Sequence, residues 1–243
     1  MTMIENKTMN LLAFDTSTDM MSIAVQRTLD GAVQVWQHTA PGGAQTSAHL
    51  IPLIQNLMRQ AGLGFDQLDA IAFGCGPGSF TGLRTACAVA QGLAFGAKVK
   101  VLPIDTLLAV AEEARFQHAA ALANYRVMAL LDARMDELYG ACYAFDSGLW
   151  RQVGGYSLMR PEDLVYGAGC TLAGNVFAVY GARLADTSAP RIDALPTASA
   201  LLRLAPALLA AGGAVPAEQA LPLYIRDKVA KTTAERAAEK AAL

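Results

Sequence analysis

The chain has 243 residues, 53% hydrophobic and 16% charged, with 19 Lys and Arg against 21 Asp and Glu. The apolar content excludes a disordered chain, and a net charge of −2 argues against a nucleic-acid module working by bulk electrostatics. Charge at 16% sits well below the roughly 25% of ordinary domains, too little to coat a free monomer, so part of the surface is expected to lie against another chain.

The deficit is uneven. Residues 31 to 97 carry only Arg59, Asp66, Asp69 and Arg84, and residues 31 to 58 carry no charge at all. The first ten residues lack the apolar stretch of a secretory signal. Leu201 to Val215 is the most apolar run, but it is shorter than the about 20 residues of a membrane span. Arg203, Pro206 and Gly212-Gly213 interrupt it, so it reads as a core helix. A cytoplasmic protein is expected. Cys75, Cys87, Cys142 and Cys170 have no C-x-x-C spacing and read as buried free thiols.

Along the chain, Asn10 to Asp15, Met20 to Gln26 and Ala32 to His38 are short apolar or alternating runs separated by turn residues such as Asp30-Gly31. They predict an antiparallel meander. Leu50, Leu53, Ile54, Leu57, Met58 and Ala61 follow helical spacing, with Gly62 as the stop and Pro52 placing the start near His49. Ala70 to Gly74 predicts a buried strand. A second helix should follow, capped by Ser79 and closed by Gly96, with Gly82, Ala86, Ala90 and Ala94 as a small-residue stripe. Lys98 to Ile104 adds a strand and Thr106 to Gln117 a helix. The order βββαβαβα is that of an α/β, ribonuclease H-like unit.

A shift of 117 superposes Asp15 on Asp132, Asp19 on Asp136 and Ala24 on Ala141, which marks a second, weaker copy of the unit. Gln152 to Met159 would complete its meander. Ala198 to Ala211 predicts a helix, followed by the compact motif ALPLYIRDKVA and a charged, Ala-rich tail.

Two turns could carry chemistry. Asp15-Thr16-Ser17-Thr18 ends the first strand, where a carboxylate and hydroxyls can face magnesium and phosphates, or simply satisfy turn amides. Gly74 to Gly82 enters a helix N-terminus and reads equally as an anion site or as a tight turn. It lacks the lysine of a Walker A loop and the spacing of a dinucleotide fingerprint. Asp15, Thr16, Ser79, Thr81 and Arg84 are the candidate anion or nucleotide contacts. An ATP-dependent small-molecule kinase is one function compatible with them. Four positions after His49 stands Leu53, so no H-x-x-x-H metal pair exists on that helix. No catalytic constellation or metal site emerges from the spacing.

LLAFDTST, CGPGSFTGLRTACAVAQGLAFG, IDTLLAVAEE, LLDARMDELYGACY and PLYIRDKVA together resemble the TsaB family of tRNA threonylcarbamoyladenosine biosynthesis proteins. The resemblance implies a two-lobed actin/Hsp70-like ATPase (ASKHA) fold with duplicated βββαβα units, the second degenerate. It implies an N-terminal lobe of residues 1–107 plus about 197–230, a smaller lobe of 108–196 and a tail of 231–243. It also implies a non-catalytic subunit. The partners would be TsaD, the paralogue that transfers threonylcarbamoyl to N6 of adenosine 37 in tRNAs reading codons that begin with A, and the ATPase TsaE. The chain alone would form a homodimer, tRNA would be contacted through the complex, and ATP, ADP or magnesium would sit only at a complex interface. The docking surface would be the two helices after the meander, through His49, Leu50, Leu53, Ile54, Leu57, Gly82, Ala86 and Ala90.

Overall fold

A computed structural model of the chain describes residues 9–184 and 189–226; the expected tail 231–243 lies outside the described residues. Strands β1 (Leu11–Asp15), β2 (Met20–Leu29) and β3 (Ala32–Pro41) form the expected meander. Its second turn places Asp30 and Gly31 both at positive φ, which matches the twist of a two-residue hairpin. Helix α1 (Thr46–Ala61), β4 (Ala70–Gly76), α2 (Phe80–Ala97) and β5 (Lys100–Asp105) follow. Hydrogen bonding orders the sheet β3-β2-β1-β4-β5, with β1, β4 and β5 parallel.

Two helix boundaries differ from expectation. α1 begins at Thr46 and carries Pro52 within it. Ala48, whose carbonyl the proline cannot bond, is exposed like Pro52, so the break falls on the solvent side. α2 runs past Gly96 and stops where Lys98 turns left-handed at φ 58, its N–H bonded to the Ala94 carbonyl.

Helix α3 (Thr106–His118) leads to the second unit, β6 (Asn124–Arg134), β7 (Glu137–Asp146), β8 (Leu149–Met159), β9 (Thr171–Gly174), a single turn α4 (Phe177–Tyr180) and β10 (Arg191–Asp193). Its order, β8-β7-β6-β9-β10, repeats that of the first sheet. The shift of 117 does not hold throughout. Ala24 lies opposite Ala13, whereas Ala141 lies opposite Ala129, which is residue 12 plus 117. The hairpins therefore differ by one residue.

Alternation along β1 sends Leu12 and Phe14 to the face covered by α1 and α2. Leu11 and Ala13 face helix α5 (Ala198–Ala210), which returns to the first sheet from the far end of the chain. α3 packs Leu107, Val110 and Ala114 on Val127, Ala129 and Tyr143, so α3 and α5 lie between the two sheets. The outer face of the second sheet, Met128, Leu130 and Leu172, is covered by Leu164, Val176, Tyr180 and Leu184 from short segments rather than long helices. That is where the second copy is reduced.

Polar links cross between the layers. Glu112, buried on α3, accepts from Arg115 Nε at 2.9 Å, Arg203 Nε at 2.9 Å and Trp150 Nε1 at 2.9 Å. Asp105 ends β5, caps α3 through the Leu107 N–H at 2.9 Å, and accepts from Tyr143 and from Tyr156 at 3.1 Å in the second unit. Burial pushes the Asp105 carboxyl up, and these donors pull it back. The cysteines are free; Cys142 and Cys170 stand with Sγ atoms 3.7 Å apart.

Candidate functional site

The turn after β1 is committed inward. Asp15 is 1% exposed, and its Oδ1 accepts from the Ser17 N–H at 2.9 Å and hydroxyl at 2.6 Å. Its Oδ2 is buried with no partner. Burial pushes this carboxyl up to about 6, against the opposing Ser17 bonds. A Cβ on Gly74 would lie 1.7 Å from Oδ2, so the glycine makes room for the acid. Thr16 donates its hydroxyl to the Gly82 carbonyl at 2.7 Å, and a Cβ on Gly82 would meet the Thr16 carbonyl oxygen at 1.9 Å. Ser79 donates its N–H to the Ser17 carbonyl at 2.7 Å, and a Cβ on Gly78 would meet that oxygen at 2.6 Å. The glycine run thus lets the α2 N-terminus lie directly on the turn after β1.

The five candidate anion contacts are consequently not one site. Asp15 and Thr16 are buried beneath the turn, and Ser79 caps its own helix by accepting the Gly82 N–H at 3.4 Å. Thr81 and Arg84 face outward. The Arg84 guanidinium lies 3.8 Å over the Phe80 ring and donates to the Tyr224 hydroxyl at 3.0 Å. Ser79 alone of the five lines the cleft between the lobes, a cavity of about 300 Å³ bounded also by Thr18, Asp132, Asn175 and Tyr224.

The cleft is closed from two sides. Arg134, on the β6–β7 turn, grips Asp19 of the β1–β2 turn through Nη2 at 2.6 and 2.7 Å. Residues 220–226, the ALPLYIR part of the ALPLYIRDKVA motif, cross from lobe to lobe. The Ala220 carbonyl accepts from Gln91 at 2.9 Å, and the Leu223 N–H donates to the Cys75 carbonyl at 2.7 Å. The Leu223 carbonyl lies where a Cβ on Gly76 would be, 2.4 Å away, and Gly76 has φ 127. Beyond, Ile225 packs on the second unit and Arg226 pairs with Glu137.

The outer helix pair corrects the expected docking residues. Leu50, Ile54, Leu57, Ala86 and Ala90 are buried against the chain's own first sheet, because a helix over a sheet must spend its regular apolar stripe there, and Gly82 is buried on the Thr16 carbonyl. Of the eight, His49 is exposed and Leu53 half-buried. The exposed apolar and glycine positions left over include Ile51 at 40% exposure, Pro52, Ala88, Gly92, Phe95 at 81% and Gly96, beside the polar Ser47, Gln55 and Asn56 of α1. Between Thr46 and Met58 and between Thr85 and Ala97 neither helix carries a charged side chain. Gly92 and Gly96 have open space where a Cβ would stand, so packing within the chain does not require them. Ala88, Gly92 and Gly96 recur every fourth residue beside Phe95. This spacing is visible in the sequence, one helix face away from the Gly82, Ala86, Ala90 and Ala94 stripe.

Among the described residues, no group of three His, Cys, Asp or Glu could hold a metal ion, and no helix is long and apolar enough to cross a membrane. The family model described as TsaD, tRNA N6-adenosine threonylcarbamoyltransferase, matches residues 33–234. The tRNA threonylcarbamoyladenosine biosynthesis protein TsaB of Escherichia coli is 32% identical, over 91% of this chain and 96% of the relative. TsaB of Haemophilus influenzae is 33% identical, over 91% and 95%. The solved structure of YeaZ from Pseudomonas aeruginosa superposes with a TM-score of 0.78 at 37% identity, covering 89% of this chain and all of that one. The chain belongs to the TsaB family, within the wider group that the TsaD model describes.

Proposed function

We propose that this chain is a non-catalytic subunit in tRNA threonylcarbamoyladenosine biosynthesis, which binds TsaD through the outer face of α1 and α2 and works with TsaE. The observation that carries the reading is the uncharged outer helix face, where Phe95 is 81% exposed beside glycines that the fold does not need. A flat strip of Ala88, Gly92 and Gly96 admits another helix at close range, and Phe95 and Ile51 supply apolar anchors. A standard interface buries about 800 Å² per partner, within reach of two helices of this length. In the absence of TsaD a second copy can take the same face. The docking helices belong to a lobe of residues 1–107 plus about 197–230, with 108–196 as the smaller lobe. Nucleotide and magnesium, in this reading, sit where the subunits meet, because Asp15 is withdrawn from the cleft that a small-molecule kinase would use.

Reconstitution tests it. With TsaD, TsaE, ATP, the threonylcarbamoyl donor and unmodified tRNA, modification should depend on adding this chain, and the chain alone should transfer nothing. Phe95→Glu and Gly92→Arg should abolish co-elution with TsaD at unchanged folding. Co-elution that survives both changes would move the docking face elsewhere, and full modification without the chain would end the reading.

A further inference from the structure

The outer face of the second sheet is only partly covered. Short segments close it around Leu130 and Leu172, but over β7 and β8 a cavity of about 500 Å³ stays open beside residues 165–167. It is larger than the cleft between the lobes and falls within the roughly 300 to 1,000 Å³ of small-molecule sites. Strand register decides what faces it. Arg126 on β6 lies opposite Ala144 on β7, which lies opposite Arg151 on β8, so one row carries two arginines with a small residue between them. The next row, Met128, Cys142 and Val153, is apolar. Both arginines and this apolar row line the cavity.

The two arginines are unspent. Arg115 and Arg203 hold Glu112, Arg134 holds Asp19 and Arg183 holds Glu162, whereas among the described residues no carboxylate lies within salt-bridge distance of Arg126 or Arg151. Asp146, one row further along β7, is bonded by the Ser147 hydroxyl at 2.8 Å. Burial pushes the Cys142 thiol up, and Arg126 is near enough to pull it back, which sets this guanidinium over the cavity floor. Gly155 also lines the cavity. A Cβ on it would meet nothing within 4 Å and its backbone is outside the left-handed region, so the fold does not require glycine there. Val165, 83% exposed, adds an apolar rim that packing within the chain leaves unused.

We propose that this cavity binds a small organic anion, its acidic head between Arg126 and Arg151 and its apolar body over Met128, Cys142 and Val153. Two strand spacings, about 9.6 Å, separate the backbones of the arginines, so both guanidiniums can converge on one head held over Ala144. The apolar row then continues the site in the direction that the body of the ligand must take. An inorganic anion would satisfy the arginines and leave that floor wet, and a neutral apolar ligand would cover the floor and leave the charges unused. The site lies on the second sheet, away from the outer face of α1 and α2, so its occupancy is independent of TsaD docking.

Octanoate is the probe, with 1-octanol and acetate as its apolar body and acidic head alone. Titration calorimetry of the full chain should give octanoate a Kd of about 1 mM or tighter, and the other two at least about tenfold weaker binding. At ten times its Kd, octanoate should slow alkylation of Cys142 by N-ethylmaleimide about tenfold and leave Cys75 unchanged. Arg126→Gln and Arg151→Gln should each weaken octanoate by at least about fivefold at an unchanged melting temperature. Gly155→Leu, which fills the floor, should abolish binding. Equal affinity for octanoate and 1-octanol overturns the proposal, because the arginines would then select nothing. So does octanoate binding that leaves Cys142 unprotected or survives both arginine changes, which would place it elsewhere. A chain that binds none of the three probes overturns it equally. Failure of the TsaD docking experiment leaves this result untouched.

Discussion

At Asp15 a carboxyl that could have faced a ligand is instead part of the packing, and its titration reports that. The group protonates at about 6 in the fold against 3.8 for the free side chain. Protonation therefore favours the folded state: this contribution is fully present below about pH 4 and is lost as pH rises through 6. A shift of about two units corresponds to roughly 3 kcal/mol, of which about 2 kcal/mol falls between pH 4.5 and 7.5. In urea titrations Asp15→Asn should gain on the wild type by that amount across this interval. Parallel curves for the two proteins would mean that Asp15 is solvated. Glu112 is the opposite case, a buried carboxylate satisfied by Arg115, Arg203 and Trp150. Glu112→Ala strips all three donors at once and should cost about 3–5 kcal/mol. Glu112→Gln keeps the shape and an acceptor for Trp150, so its loss should be distinctly smaller.

The elements were legible from periodicity, but their outward faces were not. Leu50, Ile54 and Leu57 announced α1, and Gly82, Ala86 and Ala90 announced the small stripe of α2. Helical spacing marks the face that a helix buries, and here that face covers the chain's own sheet. A docking face has to be sought in what remains, and Ala88, Gly92, Phe95 and Gly96 look unremarkable until the buried set is known. Contacts between distant segments leave even less trace. Nothing in the spacing joins Cys142 to Cys170, Asp105 to Tyr143 or Leu223 to Cys75, because each pairing depends on the register of strands far apart in sequence. The outer glycines yield a prediction at this scale. Each sits in a helix with open space at its Cβ position, so Gly92→Ala and Gly96→Ala should each raise stability by about 0.5–1 kcal/mol. A fall in the denaturation midpoint of either variant would show that the glycine serves the monomer and not a partner.

Across the whole molecule, two similar sheets are held at a fixed distance by α3 and α5 and laced together by the segment 220–226. The wedge of helices is a packed core, so its links open only with global unfolding. The lacing is different in kind: Leu221 is 70% and Tyr224 45% exposed, and the segment is fastened by single backbone bonds and by the Arg84–Tyr224–Phe80 cluster. Few buried contacts and exposed hydrogen bonds mark a segment that opens locally, well below the free energy of unfolding. Tyr224→Ala removes the ring stacked at 5.5 Å on Phe80 and the acceptor for Arg84, while Ala220 and Arg226 keep their anchors on either side. It should therefore leave one cooperative unfolding transition, lowered by no more than about 1 kcal/mol. The Leu223 amide should exchange faster than the amides of β1 and β6 in the wild type, and the same change should speed it by up to about fivefold. If Leu223 exchanges as slowly as β1 and β6 in the wild type, the segment is part of the global core, and the lobes depend on it for their mutual placement.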